Sequence, residues 1–228
     1  MGAPYPYKIL CKGRKENMSM LIYTGTPGSG KSLHVVRDLW EKYNWGGTII
    51  TNIVLDLPKS IFPKTANYIH IDLWDMEPDD LIKISETYYA THNIKSFPDE
   101  DRLLLVLDEC QLIFNARAWN DKSRVRWLRF FTQHRKYGYK IILVTQIAKM
   151  IDAQIRGLCE YEVIHRKSSN MGWKGMFMQI CTLSFPLYVA VTMWAAGGLK
   201  EKLDAKLFRG SRKIYKMYNT RQIHDRDL

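Results

Sequence analysis

The stretch Gly25-Thr26-Pro27-Gly28-Ser29-Gly30-Lys31-Ser32 fits G-x-x-x-x-G-K-[ST] without a gap, and its setting limits the fold more than anything else in the chain. Met20-Leu21-Ile22-Tyr23-Thr24 before it reads as a short buried strand. After it, Leu33, Val36, Leu39 and Trp40 recur at helical spacing, so a helix is expected from Ser32 to about Tyr43. Strand, loop and helix in that order separate a phosphate loop from a Gly/Ser-rich surface turn that happens to end in Lys-Ser. In such a loop the backbone N–H groups wrap a phosphate chain, and the glycines allow close approach. The following helix aims its positive end at the same anion. Gly25, Thr26, Pro27, Gly28, Ser29, Gly30, Lys31, Ser32 and Leu33 are therefore the expected nucleotide-binding set. Lys31 is the point charge for the β- and γ-phosphates, and Ser32 offers a hydroxyl to Mg²⁺. The motif names a nucleoside triphosphate site and leaves the reaction open.

Beyond the loop the pattern alternates. Thr48 to Val54 reads as a β-branched strand, Pro58 and Pro63 mark a loop, and Ile69-His70-Ile71 suits a short strand. A helix is expected from Pro78 to about Ala90, with Asp79 and Asp80 where acids suit the helix dipole. Leu103 to Leu107 is a continuous apolar run, the mark of a strand buried on both faces. A basic helix over 123–136, a buried strand over 140–146, a short helix over 151–158 and a strand over 161–165 follow. Right-handed crossovers would assemble these as an α/β fold: a P-loop NTPase three-layer sandwich with a mostly parallel sheet and additional C-terminal strands. The expected organisation is a flexible N-terminal extension at 1–17, an ATPase core at 18–167, and C-terminal strands with a basic tail at 168–228.

A hydrophobic fraction of 46% with 12% aromatics indicates a globular chain, and a net charge of +11 suits an anionic partner such as nucleotide, nucleic acid or an acidic membrane face. Cys11, Cys110, Cys159 and Cys181 form no C-x-x-C pair, which argues against a disulfide framework or a zinc site and for a reducing compartment. The first twenty residues have no apolar core of a secretory signal. Residues 175–199 carry no charge and are long enough to reach across a bilayer. Their polar, proline and β-branched content favours two strands joined near Ser184-Phe185-Pro186 over a membrane span.

Asp108-Glu109 at the end of the 103–107 strand is the expected partner of the loop. A strand-end acid of this kind holds Mg²⁺, usually through water. A glutamate beside it can polarise an attacking water, making Glu109 the candidate base and Asp108, with Ser32, the candidate metal residue. Gln146 closes the next apolar strand, where it suits sensing of the γ-phosphate or simply ends the strand. On the basic helix, Ser123 is the candidate N-cap, and Trp127, Leu128, Phe131 and His134 the candidate buried stripe. Arg124, Arg126, Arg129, Arg135 and Lys136 have four readings: a finger acting in trans, a nucleic-acid channel, an anionic membrane face, or a solvated surface; Arg156 is a further candidate for the finger. The six histidines show no metal-ligand spacing, and no N-K-x-D motif supports a GTPase. A small-molecule kinase fits less well than a hydrolase, because of the Asp-Glu adjacency. A nucleic-acid-binding accessory factor that uses ATP only as a switch is the alternative from a different class.

The loop Gly25 to Ser32, then Leu107-Asp108-Glu109-Cys110-Gln111 with Phe114-Asn115-Ala116-Arg117, then Gln133 to Gly138 and Val144-Thr145-Gln146, resemble the zonular occludens toxin family. The family covers the gene I-type assembly and export ATPases of filamentous phages. The resemblance covers roughly residues 19–167, with weaker echoes at 215–220. It implies an ATPase with Mg²⁺ at the cytoplasmic face of the host inner membrane, driving extrusion of a single-stranded DNA phage through the envelope. It further implies a homo-oligomeric ring, phage assembly proteins and single-stranded DNA as partners, and inner-membrane association. With no clear span before Leu228, neither direct membrane insertion nor the host-junction activity that names the family is expected.

Overall fold

The computed structural model describes residues 20–92, 102–115, 121–170, 186–195 and 201–218. Strand β1 (Met20–Thr24) is buried at every position, as a run of large apolar side chains requires of a strand inside a sheet. The same holds for β4 (Leu103–Leu107) and nearly so for β5 (Tyr139–Val144). With β2 (Thr48–Thr51), β3 (Asn67–His70), β6 (Tyr161–Lys167), β7 (Leu187–Trp194) and β8 (Glu201–Arg209) they form one sheet in the order β3-β2-β4-β5-β1-β6-β7-β8. All pairings from β3 across to β6 are parallel, and β6-β7 and β7-β8 are antiparallel.

Helix α1 (Lys31–Asn44) lies on one face of the sheet and buries Leu33, Val35, Val36 and Leu39 against Leu21, Tyr23 and Val144. Full burial of one such side chain contributes about 1.5–3 kcal/mol. Helices α2 (Pro78–Thr91), α3 (Asp121–Gln133) and α4 (Ala153–Leu158) cover the opposite face through Leu81, Trp127, Phe130, Phe131 and Ile155. A short helix α5 (Arg212–Lys216) returns to the α1 face and buries Ile214 there. The result is a three-layer α/β sandwich, the P-loop NTPase architecture, with a mostly parallel sheet.

Local departures from the sequence reading have local causes. The strand expected over 48–54 ends at Thr51, where the Thr51 hydroxyl accepts the Ile53 N–H at 3.2 Å and turns the chain. Helix α3 begins at Asp121, so Ser123 lies inside it rather than capping it. Its buried stripe includes Phe130, whereas Leu128 is only partly buried. Of the two strands expected to join near Ser184-Phe185-Pro186, the second is β7 and the first lies outside the described residues. Strand β7 pairs with β6 on one side and β8 on the other. Residues 175–185 lie outside the described residues, as do 1–17, Cys11 and Cys181. No helix among the described residues is long and apolar enough to cross a membrane.

Candidate functional site

Strand β5 lies between β1 and β4, so the chain leaving all three emerges side by side at the carboxyl edge of the sheet. That edge carries the loop Gly25–Ser32 after β1, Asp108-Glu109 after β4 and Thr145-Gln146 after β5. The loop is tied to β5 directly, because the Gly25 N–H donates to the Gln146 carbonyl at 3.2 Å. Gln146 is itself exposed, so its backbone braces the loop while its side chain is left to the solvent side.

Gly25, Gly28 and Gly30 all take positive φ, at 144°, 73° and 91°. A Cβ on Gly25 would sit 2.5 Å from the His165 carbonyl oxygen, and one on Gly30 would sit 2.6 Å from the Tyr188 ring. Glycine is therefore needed at both positions for space as well as for backbone conformation. Gly30 is the N-cap of α1 and brings no side-chain cap, which leaves the first-turn amides, those of Ser32 and Leu33 included, to an anion. The Ser29 hydroxyl is buried without a hydrogen-bond partner among the described residues, a second polar group left for a phosphate oxygen. The Lys31 ammonium folds back onto the carbonyl oxygens of Gly25 and, at 3.3 Å, Thr26. Burial lowers its pKa, and the nearby charges of Glu109 and Asp108 work against that shift. The loop lysine and the acid pair thus share one electrostatic neighbourhood.

The acids are held by residues that the sequence reading did not single out for a role. Asn52, buried just past β2, donates from Nδ2 to the Asp108 carbonyl at 3.0 Å and accepts the Asp108 N–H at Oδ1 at 2.8 Å. Asp108 Oδ1 in turn accepts the Glu109 N–H at 3.0 Å. Glu109 takes a left-handed backbone at φ 50°, the only positive-φ non-glycine among the described residues. Its carboxylate accepts a hydrogen bond from Gln111 Nε2. Ser32 and Asp108 supply a hydroxyl and a carboxylate, oxygen donors of the kind Mg²⁺ takes alongside substrate phosphate and water.

Behind the loop, α1 is pinned to the sheet by two polar contacts. The Tyr23 hydroxyl donates to Asp38 at 2.7 Å, and the His34 and His165 rings meet at 2.8 Å, Nδ1 to Nε2. His165 Nδ1 lies 3.1 Å from the Thr24 carbonyl, which can only accept, so Nδ1 carries the proton and Nε2 accepts from His34. Burial, followed by the His34 charge, pushes the His165 pKa down to about 3. Tyr218 approaches from the C-terminal side: burial, then Tyr215 and Asp108, push its pKa up to about 12.

Four of the five arginines considered for action in trans are engaged within the chain. Arg124 pairs with buried Asp152 at 3.0 Å, Arg126 with Asp79 at 2.8 Å and Glu77 at 3.3 Å, and Arg135 with Glu160. Arg156 donates to the carbonyls of Ile151 and Ala148. Arg129 is exposed beside Pro78 and Phe130.

Compared with models of known protein families, residues 19–222 match Zonular occludens toxin (Zot). The chain belongs to the zonular occludens toxin family. Within it, this member is 31% identical over 216 residues to the Gene 1 proteins of Enterobacteria phages fd and M13, covering 90% of this chain. It spans about 60% of the length of those relatives. The crystal structure of the N-terminal domain of zonular occludens toxin from Neisseria meningitidis has the same fold. The TM-score is 0.51 at 21% identity, covering 89% of this chain and 100% of that one.

Proposed function

We propose that this chain is an ATP-hydrolysing motor domain that drives assembly and extrusion of a filamentous single-stranded DNA phage through the host envelope. One observation carries the hydrolytic part. Lys31 follows β1 and the Asp108-Glu109 pair follows β4, the two strands that flank β5, so the loop lysine and the acids stand together at one edge of the sheet. Loop amides and Lys31 bind the triphosphate, and Ser32 and Asp108 would hold Mg²⁺. Bound Mg²⁺ supplies charge neutralisation on the phosphate oxygens. Glu109 polarises the water that attacks the γ-phosphorus, and Gln146 senses the γ-phosphate.

The biological part is supported by membership of the family and by likeness to phage Gene 1 proteins. On this reading the protein works at the cytoplasmic face of the inner membrane, in a homo-oligomeric ring, with phage assembly proteins and single-stranded DNA as partners. Residues 18–167 serve as the ATPase core; beyond it β7 and β8 extend the sheet, and Tyr218 returns toward Asp108.

The decisive measurement is ATP turnover of Glu109→Gln beside equilibrium binding of ATP. Loss of turnover by about 10²–10⁴-fold with binding retained supports the motor. Unchanged turnover overturns the assignment of Glu109. Affinity for single-stranded DNA that responds to ATP but not to Glu109→Gln favours the switch reading. A turnover rate per subunit that rises with protein concentration supports a ring that completes its sites between neighbours.

A further inference from the structure

We propose that Gln111 is a positioning residue for hydrolysis, setting the orientation of the Glu109 carboxylate; the inference rests on the reading of Glu109 as the base. Gln111 sits in the 3-10 turn Cys110–Leu112 that follows the acid pair. Its side chain is 8% exposed. Nε2 donates to Glu109 Oε2, and Oε1 is buried with no partner among the described residues.

That half-satisfied state tells what the amide is for. A side chain retained only to fill space is better served by an apolar group of the same length, which leaves no buried acceptor unmade. Turning the amide over would set its oxygen against the carboxylate, so the Glu109 contact alone fixes its orientation. Among the described residues, the one hydrogen bond that the Gln111 side chain makes is the one to the candidate base.

Glu109 needs such a brace. Its left-handed backbone aims the side chain away from the direction that continuing β4 would give it. The backbone itself is fixed, by Asp108 Oδ1 on the Glu109 N–H and by the Leu112 N–H donating to the Glu109 carbonyl at 2.9 Å. Among the described residues, Gln111 is the hydrogen-bond restraint on the three side-chain torsions beyond Cα. With Oε2 occupied, Oε1 is the oxygen left to take a proton from water. A base held in one orientation loses less on reaching the transition state than one that must be ordered first.

The test is a kinetic cycle on the full chain. Gln111→Met keeps the length and removes both polar atoms. Its kcat for ATP falls by about 10–100-fold, while KM and the affinity for a non-hydrolysable ATP analogue stay within about twofold. In single-turnover measurements with protein in excess, the Glu109→Gln/Gln111→Met double variant is no slower than Glu109→Gln alone, because the two residues act as one unit. Should Gln111→Met melt below the parent protein, Gln111→Asn replaces it: the amide is kept but withdrawn from Glu109, with the same expected loss. An unchanged kcat, or a loss that multiplies with that of Glu109→Gln, overturns the role of Gln111 and leaves Glu109 as the base. Parental turnover in Glu109→Gln alone removes the base itself, and with it any role for its brace.

Discussion

Asn52 and Asp108 exchange a reciprocal pair of hydrogen bonds, at 2.8 and 3.0 Å, across 56 residues of sequence. The pair joins the ends of two neighbouring parallel strands, β2 and β4, just beyond their last ladder bonds. Without it, the backbone N–H and C=O of Asp108 would have to find partners at a strand end where the ladder has stopped. Asn52 therefore fixes where the acid pair leaves the sheet, and with it the distance from the acids to Lys31.

Replacing Asn52 by Leu removes both bonds. Each buried group left unmade costs about 1–3 kcal/mol, so denaturant melts should show a loss of a few kcal/mol. ATP turnover falls with it, through displacement of Asp108 rather than loss of a ligand. Asn52→Asp keeps the acceptor for the Asp108 N–H and loses the donor, and is expected to lie between.

Lys31→Ala separates binding from folding. Among the described residues the ammonium hydrogen-bonds to carbonyls of its own loop, at the expense of burial that lowers its pKa. The thermal midpoint without nucleotide should stay the same or rise slightly. ATP turnover should fall by roughly 10²–10³-fold, the scale seen when one preorganised donor to developing charge is removed.

Gly30→Ala tests the left-handed cap of α1. At φ 91° a side chain is strained, and its Cβ would meet the Tyr188 ring at 2.6 Å. The substitution should destabilise the protein by about 1–3 kcal/mol and weaken nucleotide binding. Adding Tyr188→Ala relieves the clash and leaves the backbone strain, so stability by denaturant melt should recover only in part.

Stability should fall on acidification through His165. Its folded pKa, about 3, is below the ordinary histidine value of 6.5, so the unfolded chain binds a proton that the folded one refuses. The stabilisation is complete above pH 6.5 and is lost as pH falls toward 3. Between pH 7 and 5.5 the loss from this residue is about 1 kcal/mol. Denaturant melts at the two pH values should show it, and His165→Gln should reduce the difference.

Much of the molecule is written in local runs. The phosphate loop, the buried strands 20–24 and 103–107, and the acid pair at the end of the latter are contiguous, and each needs only its own few residues to be recognised. A continuous apolar run has one low-energy place, the middle of a parallel sheet, so β1, β4 and β5 follow from their composition. The limits of α1 and α2 follow similarly from Gly30, from Gly46 and from the proline and acids at 78–80.

What joins distant residues had no such signal. Asn52 is one polar residue after a β-branched strand, and nothing near it in the chain says that it will grip Asp108. His34 and His165, 131 residues apart, read as unrelated histidines until β1 and β6 pair and bring them together. The arginines of α3 read as a free basic face, but the packing of α2 and α4 brings Asp79 and Asp152 up to two of them. The place of β7, antiparallel between β6 and β8, depended on which strands paired with its two edges. Sequence by itself determined the chemistry of the loop and the class of the fold, because phosphate binding and strand burial are set over a few residues. Tertiary structure alone decided how the acids are aimed and what braces them, because those hydrogen bonds form only between strand ends that the sheet places side by side.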